Sequence, residues 1–433
     1  MSLSGSRISK VFAWEALDSR GRPTIACEVT LEHGVSGQVV VPAGASAGTH
    51  EVYELRDGDA RFRGYGVRRA IAALNEELSG AVKGMNVHEH SLIDEALRGV
   101  VRTLGIENIG GNATLGVSLA SVVAAANADK VSLARYLAGP GTLRLPMPMV
   151  NIASGGAHAN SAVDIQDFLV VPIAATTFAK AIEWSQRIRE QARDIALAKG
   201  FDNAALVADE GGIGVRFPSN EAVLELLVDA IDAAGLTPGE EVSVAIDAAA
   251  SEFFDGCHYH FANERRKFRA PELLEVYASW VSKYPIVSIE DPFAEDDWAA
   301  WSLAYKKLST TIDLVGDDLF VTQRDRLEKG IRDKVANSIL VKVNQNGLFT
   351  ATSAVVEMAQ AHGMRTVVSA RSGDTEDAWL ADLAVGWDSQ QIKVGSTHRS
   401  ERTSKWNRLL KFEATEETVL ADPWRARTSG TSN

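Results

Sequence analysis

Cysteine is nearly missing from this chain. Cys27 and Cys257 are the only two, far apart and in no metal-ligand spacing, which argues against a disulfide-stapled or thiolate-metal protein and predicts reduced thiols in a cytoplasm. Long apolar runs are missing too, and no stretch approaches the ~20 residues that a bilayer needs. The opening Met1-Ser-Leu-Ser-Gly-Ser6 starts no apolar signal core, and the closing Thr428–Asn433 reads as a loose polar tail. Positive charge is in deficit. The 44 Lys and Arg against 57 Asp and Glu leave a formal net charge of −13, which argues against a nucleic-acid backbone as partner. A small anionic ligand stays open, because a local group of cations or a bound metal overrides the global field. There is no short repeat and no low-complexity segment.

Residues 7–57 read as strands and turns. Ile25-Ala-Cys-Glu-Val-Thr-Leu31 and Gly37-Gln-Val-Val-Val41 have strand character, with Gly34 between them. Val41-Pro-Ala-Gly-Ala-Ser-Ala-Gly-Thr49 reads as a flexible loop of small residues. From about 66 to 138 the pattern is helical and Ala-rich. Gly139-Pro-Gly141 and Pro146-Met-Pro148 then punctuate the chain, so a domain of residues 1–138 and a second of residues 139–433 are expected. Strands and helices alternate in the second, with helices over 178–199, 220–234 and 351–361. That alternation predicts a parallel sheet with enough units to close a (β/α)8 barrel.

Six apolar runs in this second part end on charged residues. Ser243-Val-Ala-Ile leads to Asp247, Ile286-Val-Ser-Ile to Glu290, and Leu314-Val-Gly to Asp317. Ile339-Leu-Val leads to Lys342, Thr366-Val-Val-Ser-Ala to Arg371, and Gln391-Ile to Lys393. Each run has the length and Val/Ile content of a buried strand. A charge at the end of a parallel barrel strand points into the mouth that carries the active site. Three acids followed by three cations describe a divalent metal site facing an anionic substrate, and hard oxygen ligands suit Mg2+ better than Zn2+.

Each feature alone has a plainer reading. A strand-end acid can cap the next helix or pair with a lysine. Lys342 is either a base, its pKa lowered by desolvation, or a neutraliser of neighbouring acids. Arg371-Ser372-Gly373 suits a phosphate or is an ordinary turn, and Lys393 faces a carboxylate or pairs with an acid. Glu210, in Asp209-Glu-Gly-Gly212, could protonate a leaving group or simply begin a turn. His158 lies in a small-residue loop, where structural histidines also occur. Ser46 could lend its oxygen to a second metal.

Taken together these residues resemble the enolase family over nearly the whole chain. Asp18-Ser-Arg-Gly-Arg-Pro-Thr24, Glu54-Leu-Arg-Asp-Gly-Asp59, Gly111-Asn-Ala113 and Gly116-Val-Ser-Leu-Ala120 follow the family's order. Asp247-Ala-Ala-Ala-Ser-Glu-Phe253, Ser288-Ile-Glu-Asp-Pro292, Gly316-Asp-Asp-Leu319 and Leu340-Val-Lys-Val-Asn-Gln345 are more specific. Arg371-Ser-Gly-Asp-Thr-Glu-Asp377 and Gln391-Ile-Lys393 complete the set.

The resemblance implies an α/β protein: an N-terminal α+β lid domain on a modified (β/α)8 TIM-type barrel, usually a homodimer or a higher oligomer. It implies a carbon–oxygen lyase that reversibly dehydrates 2-phosphoglycerate to phosphoenolpyruvate through an enediolate, in glycolysis, with Mg2+ at two positions. Asp247, Glu290 and Asp317 would bind the first ion, and Ser46 with the substrate phosphate the second. Lys342 would take the proton and Lys393 face the carboxylate. Arg371 and Ser372 would hold the phosphate. Glu210 would protonate the leaving hydroxyl, with His158, Gln166 and Asp167 nearby.

Several positions depart from the family pattern. Ala370 stands where a His precedes Arg-Ser-Gly, Asp167 where a Glu precedes Phe, Ala43 and Ala47 where hydroxyl residues flank Ser46, and Ala208 where a Gly precedes Asp-Glu-Gly-Gly. Ala370 and Asp167 cluster on the leaving-group side. The alternative they raise is a specialised paralogue acting on a related phospho- or phosphono-carboxylate in secondary metabolism. A non-catalytic binding protein on the same fold would instead lose metal ligands or base, and neither is lost.

Overall fold

The computed structural model describes residues 5–44 and 48–424. It opens with an antiparallel sheet of β1 (Ile8–Leu17), β2 (Pro23–Leu31) and β3 (Ser36–Val40), in that spatial order. β2 is central and almost wholly buried, which is what its Ile25-Ala-Cys27 run requires. The Ala-rich segment forms helix Gly111–Ala128, nearly all of it buried against this sheet. Small residues permit the close approach: a Cβ on Gly37 would lie 2.2 Å from the Ala124 backbone nitrogen. The expected helical stretch 66–138 is interrupted, with longer helices at His90–Leu104 and Gly111–Ala128.

The remaining strands are β4 (Leu143–Leu145), β5 (Met147–Ser154), β6 (Asp167–Val171), β7 (Ser243–Asp247), β8 (Tyr259–Phe261) and β9 (Arg266–Phe268). They continue as β10 (Ile286–Glu290), β11 (Asp313–Gly316), β12 (Ser338–Val341), β13 (Arg365–Ser369), β14 (Gln391–Gly395) and β15 (Thr418–Leu420). β5, β6, β7, β10, β11, β12, β13 and β14 close into a barrel. All six charged-ended runs are barrel strands. Met147, Met149, Leu169, Val171, Ala245, Val315, Leu340 and Val367 form one apolar cluster with Trp424. These residues come from alternating positions of the strands, as a filled barrel interior demands.

The barrel is not all parallel. β6 runs antiparallel to both β5 and β7. Only residues 155–166, with one short helical turn at Gly156–Ala159, join β5 to β6. Without a crossover helix the chain cannot return to the far end, so it comes back antiparallel. Two helices in succession, Phe178–Ala198 and Asn220–Ala233, then carry it to β7. The reversal matters for the site. It brings the start of β6 to the same mouth as the ends of the parallel strands, with Asp167 opposite Asp247 and Asp247 opposite Glu290. No helix among the described residues is long and apolar enough to cross a membrane.

Candidate active site

The strand ends converge on one small cavity of about 40 Å3. Its walls include Asp247, Asp317, Lys342, Arg371, Ser372 and Lys393 from the barrel strands, and His158, Gln166 and Glu210 from the loops. Ala370 lines it as well. Glu290 reaches the same group through Lys393, whose Nζ donates to Asp247 Oδ2 and Glu290 Oε2, both at 2.7 Å. Gln166 Nε2 donates to Asp247 Oδ2 at 3.1 Å. Lys342 Nζ donates to Asp317 Oδ2, and Gln345 Nε2 to Asp317 Oδ1 at 2.8 Å. The predicted acids and lysines therefore share one site. Ser46 lies outside the described residues.

Asp247, Glu290 and Asp317 do not together form a group whose ligand atoms all lie within 4.8 Å. Each predicted metal ligand has a lysine as its partner here, and among the described residues the groups whose ligand atoms fall within 4.8 Å are Asp291/Asp317/Asp318 and His158/Asp167/Glu210. The donor set nonetheless fits a hard cation. Asp247, Glu290 and Asp317 are all buried, and among the described residues Glu290 Oε1 and Gln166 Oε1 are buried without a hydrogen-bond partner. A buried carboxylate oxygen left without a donor is a costly arrangement that a divalent ion would relieve.

Electrostatics correct one expectation. Burial is the largest single influence on Lys342 and would lower its pKa, but the neighbouring carboxylates of Asp317 and Glu290 together outweigh it and the ammonium is held above its ordinary range. Lys393 is likewise held charged against its burial, by Asp247 and Glu290. Burial, then Asp247, pushes Glu290 well above the usual carboxylate range. Asp318 is pushed up to about 8 by burial and by Asp317.

On the other side of the cavity, Asp167 is fully buried and both oxygens of its carboxylate are engaged. Oδ2 meets His158 Nδ1 at 2.8 Å, while Oδ1 accepts from Ser154 Oγ at 3.0 Å and from Asn151 Nδ2. His158 Nε2 lies 3.8 Å from Glu210 Oε1. Burial disfavours charge on His158, but Asp167 and Glu210 overcome it and raise its pKa to about 9. Arg371 forks onto Glu51, at 3.0 and 3.1 Å, and donates to Asn344 Oδ1 at 3.0 Å. Beyond Arg371 a larger cavity of about 380 Å3 lies between the barrel and the N-terminal residues Arg22, Glu51, Tyr53 and Arg56.

Several members of this constellation carry no strand-end signal in the sequence. Asp291 accepts from the Asp317 and Asp318 backbone nitrogens at 3.0 and 2.7 Å, and so holds the turn after β11. Gln345 and Glu51 restrain Asp317 and Arg371. Asn151 and Ser154, on β5, restrain Asp167. Asp291, Asp318 and Gln345 stand beside predicted residues in the quoted motifs, which was the available clue. Glu51 follows a loop and offered none.

Comparison with protein families agrees with this architecture. A family model described as the enolase C-terminal TIM barrel domain matches residues 142–422. A second, the enolase N-terminal domain, matches residues 8–137. With both halves of the chain matched in order and an eight-stranded barrel closed around the acid–lysine mouth, the chain belongs to the enolase family.

Proposed function

We propose that this protein is a Mg2+-dependent carbon–oxygen lyase that reversibly dehydrates 2-phosphoglycerate to phosphoenolpyruvate. The observation that carries the proposal is the meeting of three buried acids with Lys342, Lys393 and Arg371 at one barrel mouth. The proton to be removed sits beside a carboxylate and is very weakly acidic, so the product enediolate needs concentrated positive charge. Asp247, Glu290 and Asp317 would hold one Mg2+, and Ser46 with the substrate phosphate a second. Bound Mg2+ supplies charge to the substrate carboxylate and lowers the barrier to deprotonation.

Lys342 Nζ is the proposed base. It can accept a proton only when Asp317 is engaged elsewhere, and Asp317 is the carboxylate it shares with the expected ion. Lys393 faces the substrate carboxylate. Arg371 and Ser372 hold the phosphate, which requires Arg371 to exchange Glu51 for the ligand. Glu210, 3.8 Å from His158 Nε2, hands a proton to the departing hydroxyl. Glycolysis in the cytoplasm is the setting this reaction would serve. The two free cysteines fit a reducing compartment. We further propose a homodimer with domains at 1–138 and 139–433.

The second reading, a specialised paralogue on a related phospho- or phosphono-carboxylate, is favoured by two features. Asp167 spends both oxygens on buried neighbours and Ala370 adds no polar group to the cavity. A coupled assay with 2-phosphoglycerate and Mg2+ separates the two. Turnover near ~10 s⁻¹, an ordinary enzyme rate, supports the first and excludes the second. A rate lower by several powers of ten, with the α-proton still exchanging in heavy water, reverses that assignment.

A further inference from the structure

The helix Ser400–Thr415 lies behind the barrel mouth and carries two long cations into the interior. Arg402 is fully buried and Lys405 nearly so, and the chemistry proposed above uses neither. Arg402 Nη1 donates to the carbonyls of Arg371 and Val394, at 2.7 and 3.0 Å, and Nη2 to the carbonyl of Ser372 at 2.7 Å. Lys405 Nζ donates to Asp374 Oδ1 at 2.6 Å and to the Thr375 carbonyl. Asp374 in turn accepts from the Arg371 backbone nitrogen at 3.2 Å. The rest of the turn is held by the N-terminal segment: Gly373 pairs with Ala43 in both directions, and Ser19 donates to the Asp374 carbonyl. Every carbonyl from Arg371 to Thr375 is thus engaged, with two of the five on Arg402.

A planar fork reaches carbonyls on two strand ends at once, which a point charge on a flexible stem cannot do. The same guanidinium touches the residue after Lys393 and lies 3.9 Å from Glu210 Oε1. Its nearest carboxylate among the described residues is Glu401, at 3.4 Å. Most of its hydrogen bonds therefore go to neutral carbonyls, and those are the strong, charge-assisted kind.

We propose that Arg402 is a positioning residue for the anion grip. It fixes the Arg371–Ser372 backbone against the end of β14, so that a phosphate meets a preformed fork instead of a loose turn. The proposal rests on the reading that Arg371 and Ser372 hold the phosphate, and its test separates the two. Inorganic phosphate is titrated by calorimetry into wild type, R371A, R402Q and the double variant, with Mg2+ titrated separately. R402Q is expected to weaken phosphate binding by about 10- to 100-fold, the range that one charged hydrogen bond is worth, and to leave Mg2+ affinity at the wild-type value. R402Q added to R371A should cost almost nothing more, because the two act as a unit. If R371A weakens binding while R402Q does not, or if the two losses simply add, the positioning role is overturned. If R371A itself leaves phosphate binding intact, the phosphate-grip reading falls and this proposal with it. Should R402Q fail to fold, R402K carries the same comparison: it keeps the charge, loses the fork, and is expected to show a smaller loss of the same non-additive kind.

Discussion

Replacing Lys393 by Met removes the cation lodged between Asp247 and Glu290 and leaves two carboxylates facing each other. The side chains are 7 %, 4 % and 1 % exposed for Lys393, Asp247 and Glu290, so water cannot take over the lysine's role. Removing one partner of a buried pair costs about 3–5 kcal/mol. For a unit of roughly 280 residues unfolding with ~2.1 cal/mol/K per residue, each kcal/mol shifts the midpoint by ~1.7 °C, so K393M should melt about 5–9 °C below wild type. The assay is thermal unfolding in EDTA, repeated at several pH values and with Mg2+. Glu290 is already pushed up by burial and then by Asp247, and Lys393 is what pulls it back. Without the lysine Glu290 favours its protonated form in the folded state still more, so the deficit should shrink as pH falls from 7.5 towards 5. Mg2+ at about a hundred times its dissociation constant adds ~2.7 kcal/mol to a protein that binds it only when folded. It should help K393M more than wild type, because no lysine competes for the same oxygens. Equal melting of the two proteins in EDTA, or a gap that Mg2+ leaves untouched, would refute the idea that these groups form one charge-balanced site.

Three further outcomes are expected. His158 has its pKa raised to about 9 from an ordinary ~6.5, so its contribution is complete below pH ~6.5 and is lost as pH rises through ~9. Denaturant titrations should show a fall on the order of 3 kcal/mol across that window in wild type and its absence in H158Q. K342A should lose α-proton exchange and on the order of 10²–10⁴ in turnover, as for removal of a general base, while calorimetry still detects Mg2+. G330A should destabilise despite alanine's helix advantage of ~1 kcal/mol. The new Cβ would sit 2.3 Å from the ring of Phe320, which is fully buried, and overpacking of that kind costs about 1–3 kcal/mol. A chemical melt reports the sign.

Much of the site was legible because it follows from local pattern. Asp247, Glu290, Asp317, Lys342 and Arg371 each follow an apolar run that became a barrel strand, and position at a strand end is enough to place a side chain in the mouth. Lys393 was read the same way, although it sits inside β14 instead of past its end. The reversed direction of β6 was not read, since it depends on the missing crossover helix between Ser154 and Asp167. Partner choice was not legible either. Lys393 and Asp247 are 146 positions apart, and Arg402 meets Arg371 from a helix that shows no anomaly in sequence.

By itself, then, the order of residues determined the barrel strands, the charge that ends each one and the family to which the chain belongs, because strand periodicity and strand-end position are local properties. Only the tertiary structure decided the sign of the Lys342 shift, the partners of Asp167 and the contact of Arg402 with the Arg371 and Ser372 carbonyls. Those depend on which charges and donors arrive from distant elements, and at the two site lysines the neighbouring carboxylates together outweigh burial.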